Sequence, residues 1–75
     1  MNKDQFDETL RQFLRRKPFI PFVMELVDGG QIVVERPRVS FAEGSGCFFN
    51  SKFDLIEFDC ENVREIHFIS IETLP

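Results

Sequence analysis

The sequence predicts an α+β domain: an N-terminal helix followed by about five short antiparallel strands, forming a strongly bent sheet or a small, partly open barrel. Three observations carry this reading. Apolar residues recur at helical spacing near the N-terminus, at Phe6, Leu10, Phe13 and Leu14. From Ile20 to Ile71 the pattern alternates instead, broken by turn signals at Asp28-Gly29-Gly30, Glu43-Gly44-Ser45-Gly46 and Ser51-Lys52. With 75 residues the chain has material for one core only, so residues 1–75 form a single domain.

The helix is expected over 4–17. Its four apolar residues lie at i, i+4, i+7 and i+8, one face of a 3.6-residue period. Asp4 is the expected N-cap, and Asp7 pairs with Arg11 at i, i+4. Arg15, Arg16 and Lys17 crowd the last turn, where cations suit the helix dipole, and Pro18 ends the element.

The sheet is expected over 20–71. Pro18-Phe19-Ile20-Pro21-Phe22 is a stiff connector into the first strand, whose Ile20, Phe22, Met24 and Leu26 share a face. A three-residue loop of Asp28, Gly29 and Gly30 sets Leu26 against Ile32 and Met24 against Val34. Arg36-Pro37-Arg38 breaks the second strand. Val39–Ala42, Cys47–Asn50, Phe53–Asp59 and Val63–Ile71 supply the remaining extended segments. In the last hairpin, Glu61, Asn62 and Val63 connect, so Phe58 faces Ile66, Ile56 faces Phe68 and His67 faces Glu57.

Composition removes several function classes. The longest apolar run, Phe19–Met24, is six residues and contains Pro21, far short of the ~20 that a membrane helix needs. The first residues carry no signal-peptide pattern, so a cytoplasmic protein with reduced thiols is expected. Residues 1–38 hold seven Lys/Arg against six Asp/Glu, whereas residues 39–75 hold two against seven. That acidic half argues against general capture of nucleic acid, which needs cations against phosphates. Neither glycine-rich turn precedes a helix that could receive a phosphate.

Catalytic, cofactor and metal sites are not expected. Cys60 lies on the core face and His67 on the other, so no thiolate–imidazole dyad forms. Two cysteines and one histidine without a close pair do not supply four zinc ligands. Two clusters remain. Arg11, Arg15, Arg16 and Lys17 form a basic patch, read foremost as a helix terminus and secondly as a contact for an acidic partner. Glu57, Glu65 and His67 form a candidate pH-sensitive cluster on a polar face.

Two resemblances follow from these residues. The segments Pro18-Phe19-Ile20-Pro21-Phe22, Leu26-Val27-Asp28-Gly29 and Val34-Glu35-Arg36-Pro37 resemble a P-F-x-P-F, L-x-D-G, V-x-x-P pattern in a set of small bacterial proteins. That resemblance covers the first half of the chain well and the second half in outline; it implies a compact cytoplasmic fold and assigns no catalytic residue. The helix-then-bent-sheet order is similar to Sm-like RNA-binding proteins, an architectural likeness that transfers no RNA-contacting residue.

The ten phenylalanines give the functional expectation. Phe6 and Phe13 belong to the helix face, Phe22, Phe58 and Phe68 to the core with Phe41 and Phe49, and Phe19 to the connector. Phe48 and Phe53 then fall on a second face with Val23, Val27, Val33, Leu55, Ile69 and Ile71. Such a surface points to a non-catalytic interaction module that contacts a second copy or a protein partner, with an Sm-like RNA binder as the alternative.

Overall fold

The computed structural model describes residues 1–69; Ile71 lies outside them. It is α+β, as expected, with one helix, α1 (Lys3–Arg15), and six strands. These are β1 (Phe22–Leu26), β2 (Gln31–Val34), β3 (Ser40–Ala42), β4 (Ser45–Phe49), β5 (Leu55–Asp59) and β6 (Val63–Phe68). They form two antiparallel three-stranded sheets, ordered β2-β1-β6 and β3-β4-β5, and no closed barrel forms among the described residues. No described helix is long and apolar enough to cross a membrane.

The helix begins one residue and ends two residues earlier than its apolar spacing suggests. Asn2, not Asp4, is the N-cap: its side chain accepts a 2.8 Å hydrogen bond from the Gln5 amide. Arg16 is already extended, because Pro18 offers no amide to continue the ladder and its ring would meet the preceding turn. Arg11 pairs with Glu8 at 3.2 Å, which leaves Asp7 free to accept from the Gly44 amide at 2.9 Å.

The first hairpin keeps its expected three-residue loop, but the loop is Val27-Asp28-Gly29. Leu26 donates to the Gly30 carbonyl, the Gly29 amide returns to Leu26, and Gly29 takes the left-handed conformation at φ 93°. Sliding the loop by one residue moves the register by two, to Met24–Ile32 and Phe22–Val34. Faces are unchanged, since side chains alternate with period two.

The last expected pairing is replaced. β5 pairs with β4, while β6 crosses to β1, matching Met24 with Ile66 and Phe22 with Phe68. Asp59 turns the chain at this crossing. Its carboxylate accepts from the Glu61 amide and the Ser45 hydroxyl, both at 2.9 Å. The Asn62 amide bonds back to the Asp59 carbonyl. The Glu61 amide, then the Ser45 hydroxyl, hold the Asp59 carboxyl below its usual value. The sign follows: Asp59 stabilises the fold fully above the ordinary aspartate range, and this contribution is lost as pH falls through the lowered folded value. Acid titration monitored by circular dichroism should show that loss, and Asp59→Asn should flatten it.

One core sits between the sheets and the helix. Phe6, Leu10, Phe22, Met24, Val34 and Val63 are fully buried, joined by Phe48, Phe58 and Cys60. Aromatic contacts carry the helix onto both sheets: Phe6 meets Phe58 at 5.7 Å, and Phe13 meets Phe22 at 5.1 Å and Phe68 at 4.8 Å. No buried polar side-chain atom among the described residues lacks a partner.

Candidate interaction surface

The β4–β5 hairpin repeats the construction of the first one. The Asn50 amide donates to the Asp54 carbonyl at 3.0 Å, and the Phe53 amide donates to Asn50 at 2.9 Å. The loop is therefore Ser51-Lys52-Phe53, with Phe53 in the place that Gly29 takes in the first hairpin. Phe53 adopts φ 64°. A left-handed conformation costs a residue with a side chain roughly 1–2 kcal/mol, which is why glycine is usual there. Asn50 holds the loop in this shape, since its Oδ1 accepts from the Lys52 amide at 2.8 Å and the Asp54 amide at 3.0 Å.

The result is a phenylalanine that is both strained and presented to solvent. Phe53 is 83% exposed, with Phe49 at 65%, Leu55 at 51% and Val33 at 44%. Phe49 and Leu55 are direct cross-strand partners, so they share the outer face of the second sheet. Phe49, Phe53 and Val33 line one cleft, together with Arg36, Arg38 and the inner residue Phe48. An apolar patch thus joins the edge strand β2 to the tip of the β4–β5 hairpin.

The expected second face is revised accordingly. Val33, Leu55 and Ile69 are exposed, and Val27 is exposed in the first loop. Val23 and Phe48 are buried instead. Val23 lies on the central strand, flanked on both sides by its cross-strand neighbours Val33 and His67. Phe48 sits opposite Ile56 and packs 6.4 Å from Phe58, so it faces inward and Phe49 outward, the reverse of the expected pair. The spacing Asn50-Ser51-Lys52-Phe53-Asp54 carries the hairpin signal, but the glycine that marks such a turn is missing.

The acidic cluster around His67 forms with one different member. Glu57 lies on β5 opposite Cys47, in the other sheet. Its place is taken by Glu25, opposite Glu65, whose Oε2 is 3.2 Å from His67 Nε2. A β-bulge between β1 and β6 turns Val63 into the core and lifts Arg64 out to pair with Glu25. Glu25, Glu65 and His67 bring ligand-type atoms within 4.8 Å of one another, but the Arg64 guanidinium already supplies a positive charge to Glu25.

The basic patch divides. Arg11 is ion-paired and lies over the Phe41 ring at 5.8 Å. Arg15, Arg16 and Lys17 stay exposed at the helix end, where Arg16 sits 5.3 Å from the Phe68 ring. Both cysteines are free thiols: Cys60 is buried under Gly44, and Cys47 is half-buried on β4. Compared with protein-family models, curated proteins and solved structures, the chain matches none.

Proposed function

We propose that this chain is a non-catalytic interaction module that associates with a second copy of itself through Val33, Phe49, Phe53 and Leu55. The observation that carries this reading is Phe53, where the fold tolerates backbone strain in order to place an aromatic ring in water. Strain of this kind is usually retained where it positions a side chain for contact. The cross-strand pair Phe49–Leu55 and the neighbouring Val33 extend the ring into a continuous apolar area, which a second copy would cover.

Phe53→Gly separates contact from folding, because glycine suits φ 64° and removes only the exposed ring. The variant should fold as well as the parent or up to about 1 kcal/mol better, by urea titration. Light scattering should show the parent above monomer mass at high concentration and the variant as a monomer. A parent that stays monomeric throughout overturns the reading.

A further inference from the structure

Beneath the apolar rim, the cleft between the β2–β3 link and the β4–β5 hairpin has a volume of about 270 Å³. That is close to the lower end of the range for small-molecule sites, ~300–1,000 Å³. Its apolar surface comes from Val33, Phe48, Phe49 and Phe53. Its charge comes from Glu35, Arg36 and Arg38, which together leave one excess positive charge. Neither arginine is ion-paired with a carboxylate among the described residues. This local cation stands out on a chain whose net charge is −4.

We infer that the cleft binds a small organic monocarboxylate with an aromatic or aliphatic body. The apolar part would lie along Val33 and Phe48 beside the Phe53 ring, and the carboxylate would meet the Arg36 and Arg38 guanidiniums, whose planar donors match its two oxygens. One negative charge balances the cleft. A dianionic phosphate would leave it negative beside Glu35. The cleft shares Val33, Phe49 and Phe53 with the proposed association surface, so the carboxylate and a second copy compete for it, and particle mass distinguishes the two.

The test is an NMR titration of the labelled protein with phenylacetate, alongside phenylacetamide, inorganic phosphate and an oligouridylate, with particle mass followed in parallel. Phenylacetate should give saturable shifts at Val33, Phe48 and Phe53, at least tenfold tighter than phenylacetamide. Arg36→Gln with Arg38→Gln, two exposed substitutions, should weaken that binding about tenfold and leave the thermal unfolding curve in place. Absence of saturable shifts in the cleft overturns the inference. So does equal binding of the amide, tighter binding of phosphate or oligouridylate, or full binding by the double variant.

Discussion

Phe22→Ala is expected to leave the chain largely unfolded at 25 °C. Phe22 has no exposed surface and lies on the central strand of its sheet, between Val34 and Phe68. Its ring meets Phe13 edge-on at 5.1 Å and Phe19 at 6.0 Å, so it touches helix, connector and sheet at once. Truncating a buried phenylalanine to alanine typically costs about 3–5 kcal/mol, from lost transfer energy and the cavity left behind. A domain of this size has only ~3–5 kcal/mol in total. Urea titration by circular dichroism should therefore show no cooperative native baseline for the variant. A midpoint close to the parent's would remove Phe22 from the centre of the core.

Gly46→Ala should be nearly as damaging, although it adds a single methyl group. Gly46 sits where β4 passes between its two neighbours, opposite Phe41 on β3 and Phe58 on β5. A Cβ there would press into the Ser40 carbonyl oxygen and stand 2.5 Å from Phe58 Cζ and 2.7 Å from the Phe41 Cβ. Two of these obstacles are close to the backbone and cannot swing away, so the strand itself must shift. Overpacking of this kind costs typically 1–3 kcal/mol. The thermal midpoint should fall by several degrees at least, since 1 kcal/mol moves Tm by about 4–8 °C in a small domain. Gly30→Ala offers the control: its added Cβ would meet only side-chain atoms, at 3.1 Å or more.

The difference between these glycines also marks what was legible beforehand. Turn glycines announce themselves by their neighbours, as Asp28-Gly29 does, whereas Gly46 matters because of strands distant in sequence. The same holds for pairing. Ile66 and Phe68 alternate in a way that matches Ile56 and Phe58 as well as it matches Met24 and Phe22. Alternation identifies which face of a strand is buried, but says nothing of which strand lies beside it. The helix face, the connector and the inward set of β1, β2 and β5 were readable for that reason. The partner of β6, and with it the company of His67, was not.

For the candidate surface the limit was a single parity. Phe48 and Phe49 are adjacent, so one must point in and the other out. The Asn50–Asp54 closure decides between them. That closure depends on Phe53 taking a conformation that residue propensity alone disfavours, and without it the pattern puts Phe49 in the core and Phe48 at the surface. Leu55 and Val33 were placed correctly because their strands carry plain alternation. Nothing in the spacing of Arg36 and Arg38 around Pro37 indicates that they border a cleft.

The aromatic bridges of α1 bear on the order in which the chain is made. Phe6 is made before any of the six described strands, yet its partner Phe58 lies on β5, and Phe13 must wait for Phe68 on β6. β1 to β6 all have to exist before the apolar side of the helix is covered. Contacts this distant in sequence slow folding and lengthen the exposure of sticky surface. A nascent chain of this protein therefore carries the apolar face of α1 uncovered until β6 emerges.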